Sequence, residues 1–179
     1  MADFEVEKIY FDMDGVLADF KRGVREICKI EPPDQPQDAN EEEKAQKKAA
    51  DDHMWELIRK AGHFYDMLEL MPGAKELFDA VYGKYGDKCE ILTGVPKEKR
   101  QIYSAKEDKE KWVARLLSDK IIVNTVDREK KREYSKKKSH ILIDDMALNI
   151  TEWEKDGGTG VQNFSASETM DKLKEMGIL

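Results

Sequence analysis

The chain has 179 residues, 40% hydrophobic and 39% charged, enough for one packed core under a densely charged surface. Its formal net charge of −7 gives no general attraction to nucleic acid or acidic membrane, and no apolar run is long enough to span a bilayer. The opening MADFEVEK lacks the basic and apolar regions of a secretion signal. Cys28 and Cys89 have no metal-type spacing, so a reducing cytoplasm is the simplest setting.

The first element, EKIYF, is short, apolar and β-prone, and it stops at Asp12. Phe20, Val24, Ile27 and Cys28 then recur at helical spacing. The prolines and acids of EPPDQPQDANEEE break that helix and read as a loop. EEEKAQKKAADDHMWELIRKAG follows as a helix whose acid-first, base-later order suits both i,i+4 pairing and the helix dipole, with Met54, Leu57 and Ile58 on one face.

From Pro72 the pattern changes to alternation. PGAKELFDAVYGKYG is a helix, KCEILTG a buried strand ending at Thr93, and KEDKEKWVARLLS a helix with Trp112, Val113, Leu116 and Leu117 on one side. KIIVNTV is a strand, SHILIDD a strand ending at Asp144, and MALNITEWEKDGG a helix closed by glycines. TGVQNF is the last strand and SASETMDKLKEMG a last, serine-capped helix. Such alternation predicts an α/β fold, a Rossmann-like doubly wound parallel sheet. Residues 18–71 are helical without strands and read as a small inserted cap on a core made of residues 1–17 and 72–179.

Ligands of open parallel sheets bind beyond the carboxyl ends of the strands. Asp12 and Asp14 follow the first strand, Thr93 and Gly94 the second, Asp144 and Asp145 the fourth. Singly, each reads as well as a turn, a loop start or a helix cap. Together they place four acids at one sheet edge, and their repulsion demands a cation. Oxygen ligands with no nearby His or Cys point to Mg²⁺, a typical grip on phosphate. One carboxylate could attack phosphorus, and a second, two residues on, could protonate the leaving oxygen and later activate water. Thr93 can donate to the phosphoryl oxygens, which also need a fixed positive charge. Lys106, Lys109 and Lys111 are candidates for it. DREKKREYSKKKS, residues 127–139, is a local basic patch that reads as a solvated loop.

DMDGVLADF resembles the first motif of the haloacid dehalogenase superfamily of phosphohydrolases, and Thr93, a following lysine and LIDD resemble its other three, in order. DMDGVLADF, FYDMLELMPGA, ILTG, DKEKWV and LIDD, in that order, are similar to the 5′(3′)-deoxyribonucleotidase family and cover most of the chain. The resemblance implies Asp12 as nucleophile and Asp14 as general acid/base. Mg²⁺ would lie on Asp12, the backbone carbonyl of Asp14 and the Asp144/Asp145 pair. It implies that Thr93 binds the phosphoryl group, and it selects Lys109, three positions before the Trp of WV, as the lysine. Asp19 and Phe20 would lie where the chain enters the cap, and Phe64 and Tyr65 align with an aromatic pair facing the nucleoside, core packing being the equal alternative for both. Where these nucleotidases follow the threonine with Ser and Pro, this chain has Gly94 and Val95.

The expectation is therefore a Mg²⁺-dependent phosphomonoesterase acting on a small phosphoester, a nucleoside monophosphate above all, with no membrane or nucleic-acid partner. A homodimer is compatible with this reading. Asp14 argues against a dehalogenase, whose leaving group needs no proton. A phosphatase for another small phosphoester or for nucleic-acid ends, and a non-catalytic module on the same fold, are the alternatives.

Overall fold

The computed structural model describes residues 4–34 and 38–179. The expected proline-rich loop falls partly on 35–37, outside the described residues. Five strands, β1 (Lys8–Phe11), β2 (Cys89–Gly94), β3 (Ile122–Val126), β4 (His140–Asp144) and β5 (Thr159–Gln162), form one parallel sheet in the order β3-β2-β1-β4-β5. Among the described residues six α-helices accompany them: α1 (Phe20–Ile27), α2 (Glu41–Lys60), α3 (Ala74–Tyr85), α4 (Ala105–Leu116), α5 (Ala147–Lys155) and α6 (Ala166–Glu175). This is the doubly wound α/β fold that the alternation predicts.

Side chains alternate across a strand, so each strand feeds both faces of the sheet. Ile9, Phe11, Ile91, Ile141 and Ile143 pack on one face with Leu77, Phe78 and Val81 of α3, Trp112 and Val113 of α4, and Leu173 of α6. Tyr10, Leu92 and Leu142 point the other way and meet Ile150 and Trp153 of α5. The first face carries much the larger core, and the helical block between β1 and α3 joins it through Val24, Met54, Ile58 and Phe64.

Local chemistry sets the helix starts. The Asn40 side chain accepts from the Glu43 N–H while Glu43 accepts from the Asn40 N–H, a reciprocal cap that starts α2. The expected serine cap of α6 is Ser165, whose hydroxyl accepts from the Glu168 N–H at 3.1 Å. No helix among the described residues is long and apolar enough to cross a membrane.

Strand order positions the site. From β1 the chain steps outward through β2 to β3, then returns past β1 to β4 and β5. The reversal opens a crevice between the ends of β1 and β4, the favoured binding place in such sheets. Asp12 and Asp144 stand at those two ends: the Asp12 N–H extends the ladder to Ile143 O at 2.9 Å, and the Asn163 N–H bonds Asp144 O at 2.9 Å.

Candidate active site

Asp12 is fixed by the end of the sheet, and Asp14 by the turn that follows. The Met13 carbonyl accepts from the Leu17 and Ala18 N–H groups, both at 2.9 Å, and the Gly15 N–H reaches Ala18 O at 2.9 Å. Gly15 has φ +81°, and a Cβ there would overlap the Asp145 carboxylate. Both the left-handed backbone and the close approach require glycine. Gly15→Ala is expected to cost about 1–2 kcal/mol in backbone strain alone and to push Asp145 away from Asp12. A thermal melt checks the first effect, and loss of divalent-cation-dependent stabilisation the second.

Two buried lysines divide the acids. On one side of Asp12, the Lys131 ammonium donates to Asp12 Oδ1 and Asp144 Oδ2, each at 2.8 Å. On the other, Lys109 donates to Asp14 Oδ2 at 2.8 Å, Thr93 Oγ1 at 2.8 Å and Gly94 O at 2.7 Å. Lys109 is 0% exposed and Lys131 4%. An ammonium taken out of water is tolerated only when its charge and donors are met, as both are here. Burial works against the Lys131 charge, but Asp12 and Asp144 outweigh it and hold the ammonium well above its ordinary pKa.

Asp144 also accepts from the Met146 N–H at 2.9 Å and the Asn149 amide at 3.0 Å. Arg128 in turn donates to Asn149 Oδ1 at 2.9 Å and Glu152 at 3.1 Å. This chain of bonds aligns Asp144 from behind. Asp12, Asp144 and Asp145 each place a carboxylate oxygen within 4.8 Å of the others. Burial first, and the charge of Asp12 next, push the Asp144 and Asp145 carboxyls above the ordinary range. Three carboxylates against one lysine leave two negative charges uncompensated, so this oxygen-only donor set fits a divalent cation such as Mg²⁺.

Two cavities meet over Asp14, Phe20, Gly94 and Arg128. One, of about 480 Å³, contains Asp12, Lys131 and Asp145 and is rimmed by Asp19, Met71, Met146 and Phe164. The other, of about 400 Å³, has Trp55 and Tyr65 in its wall with Lys97, Lys99 and Arg100.

The structure thus gathers Asp12, Asp14, Thr93, Gly94, Lys109, Asp144 and Asp145 at one sheet edge, with Asp19 and Phe20 beside them. Asp19 caps α1, accepting from the Arg22 N–H at 3.1 Å. Tyr65 lines the second cavity, its ring 4.6 Å from the Lys109 ammonium. Phe64 is fully buried against Phe20 and lines neither cavity, the packing position of the two considered for it.

Lys131, Asn149, Arg128, Trp55 and Arg100 were not singled out from sequence. Lys131 lies in the stretch expected to be solvated. Instead, Arg128–Tyr134 winds into 3₁₀ turns that bury Lys131, turn Arg128 onto Asn149 and Glu152, and pair Arg132 with Asp156 at 2.7 Å. The only local signal was a basic run shortly before the LIDD strand, which does not say which lysine turns inward. Trp55 and Arg100 meet across the chain, the guanidinium 5.8 Å from the indole centre and 2.6 Å from Asp52.

An aspartate at the edge of the central strand, a second acid two residues on, two flanking lysines and a carboxylate pair on the neighbouring strand define a haloacid-dehalogenase-type phosphohydrolase. The chain belongs to the family described as 5′ nucleotidase, deoxy (pyrimidine), cytosolic type C protein, whose model matches residues 6–163. Solved structures agree in fold. A HAD family hydrolase from Deinococcus radiodurans with bound phosphate and sodium aligns over 99% of both chains at 11% identity and TM-score 0.59. The HAD-hydrolase YfnB of Bacillus subtilis, bound to magnesium, aligns over 90% of this chain and 89% of its own at 14% identity and TM-score 0.54. A HAD-superfamily hydrolase from Geobacter sulfurreducens covers 94% and 96% at 15% identity and TM-score 0.52. No curated protein matches the sequence.

Proposed function

We propose that this phosphohydrolase is a Mg²⁺-dependent nucleotidase that removes phosphate from nucleoside monophosphates through an aspartyl-phosphate. The observation that supports this most directly is the asymmetry around Asp12: Lys131, Asp144 and Asp145 lie on one side of it, and Asp14, Thr93 and Lys109 on the other. Asp12 is the nucleophile because its carboxylate stands at the crevice, held by one ammonium. Asp14 gives its proton to the leaving oxygen as the P–O bond breaks, and later takes one from the water that attacks the phosphorus of the intermediate. Thr93 and the Gly94 N–H serve the phosphoryl oxygens. Asp12, the Asp14 carbonyl, Asp144 and Asp145 would hold Mg²⁺, which when bound neutralises charge on the phosphoryl oxygens.

Asp14 lies where the cavities meet, so a leaving group accepting its proton extends past Phe20 into the cavity walled by Trp55 and Tyr65. That wall offers aromatic faces to a nucleoside. Residues 18–71 act as the cap. Their two crossings to the core lie side by side, tied by the Asp19 N–H to Glu69 O and the Met71 N–H to Leu17 O, both at 2.8 Å. Trp55→Ala is expected to raise KM for nucleoside monophosphates about 10-fold, the worth of one stacked base, while leaving a small alkyl phosphate unaffected.

The test is a panel of phosphomonoesters, including p-nitrophenyl phosphate, nucleoside monophosphates and sugar phosphates, with Mg²⁺ and with chelator. Preference for deoxynucleoside monophosphates in Mg²⁺ is the expected result. Preference for sugar phosphates would reject the nucleotide, and full activity in chelator would reject the metal.

A further inference from the structure

The loop that leaves β2 carries one residue unlike its neighbours. Lys97, Glu98 and Lys99 are exposed, whereas the Arg100 side chain is only 18% exposed. It reaches across to the cap. Its guanidinium donates to Asp52 Oδ1 at 2.6 Å and lies over the Trp55 indole, 5.8 Å from the ring centre. Asp52 and Trp55 are three positions apart on α2 and so share one face of that helix. The arginine grips that face twice, by charge and by stacking, which a planar guanidinium can do and a lysine cannot. The backbone bends to allow it. Glu98–Arg100 forms a 3₁₀ turn, and Gln101 follows at φ +54°. That conformation is disfavoured outside glycine, and the Gln101 side chain is exposed, so its own contacts do not account for the bend. Trp55 also packs on Phe20, with ring centres 6.0 Å apart. Arg100, Trp55 and Phe20 line one cavity with Asp14.

We infer that Arg100 is a positioning residue for the nucleoside and acts through Trp55: the core holds the cap's indole in place, so that the base meets a wall already formed. The inference rests on the nucleotidase reading and deepens it, by naming a residue that decides how tightly the leaving group is held. Without the arginine the substrate itself must order the indole, and that cost appears in binding. The acid cluster is left alone, because the charged partner of Arg100 is Asp52.

The expected signature is in KM rather than kcat. Arg100→Met should raise KM for a nucleoside monophosphate about 5-fold, with kcat and the KM of a small alkyl phosphate unchanged. In a Trp55→Ala background the same substitution should add nothing, because nothing is left for it to position. An arginine that touched the substrate itself would cost as much with the indole gone. That result, or an unchanged KM in the single variant, would overturn the inference. A second measurement needs no substrate, and so stands apart from the nucleotidase reading. Trp112 and Trp153 are fully buried and Trp55 is not, so acrylamide quenching of tryptophan fluorescence reads Trp55. Arg100→Met should increase the quenching, and unchanged quenching would overturn the inference equally. Increased quenching in a protein whose wild type shows no preference for nucleoside monophosphates over the alkyl phosphate would uphold the clamp on Trp55 and sink the nucleotide reading instead.

Discussion

Asp12→Asn is expected to lower turnover of every phosphomonoester by about 10⁴-fold or more, the scale of losing a nucleophile outright. An amide of the same shape keeps the packing but offers no anionic oxygen to phosphorus. The same change removes one negative charge from a cluster where three carboxylates, two of them buried, face one lysine. The metal-free variant should therefore melt no lower than the wild type. That combination of lost chemistry and kept stability separates a nucleophile from a structural aspartate. Acid-stable phosphate should label the wild-type protein during turnover and be missing from the variant. Retained turnover, or a large fall in Tm with the loss, would show that Asp12 is not the nucleophile.

Lys131→Met is expected to behave in the opposite way, losing both stability and activity. Its ammonium is the only positive charge bonded to Asp12 and Asp144 among the described residues. Removing one member of a buried ion pair leaves the other uncompensated, at about 3–5 kcal/mol. For a chain of this size that is roughly 10 °C in Tm. Turnover should fall about 10³-fold through lost stabilisation of phosphoryl charge. The stability loss should depend on pH with a definite sign. Asp144 and Asp145 already take up protons more readily than ordinary carboxyls, because of burial and the charge of Asp12. Carboxyls with raised folded pKa values destabilise fully above those values, and the effect vanishes below their unfolded ones. The Tm gap between variant and wild type should thus narrow as pH falls from 8 towards 4. Mg²⁺ should narrow it at pH 8. A gap insensitive to both would mean that Lys131 is held for packing alone.

Strand ends carried most of what could be read without a structure. A strand's apolar run stops where the sheet stops, so Asp12, Thr93 and Asp144 declared themselves as edge residues by local pattern. Parallel alternation then put those edges on one side of the molecule. The carboxylate pair at 144–145 needed no more than that. Gly15 was visible as a turn residue, but the need for glycine was not, since what fills the place of its side chain is Asp145, 130 positions away in the chain.

The lysines show the limit. Sequence offered Lys106, Lys109 and Lys111 with equal chemistry, and only resemblance to a family chose among them. Lys131 sat in a run of charge whose local pattern is that of a solvated surface. Its burial comes from the 3₁₀ turns that lay Arg128–Tyr134 over the crevice, with Arg128 and Arg132 anchored on Glu152 and Asp156. Trp55 is similar: its helix was legible, but its pairing with Arg100 joins segments 45 residues apart.

By itself the sequence determined the order of elements, the parallel sheet and the acids at its edge. Each follows from short-range periodicity and from where apolar runs end. Tertiary structure decided which cations meet those acids and which of the lysines turn inward. Those choices depend on charges brought within 3 Å by segments far apart in the chain, where the electrostatics of burial, rather than local propensity, sets the outcome.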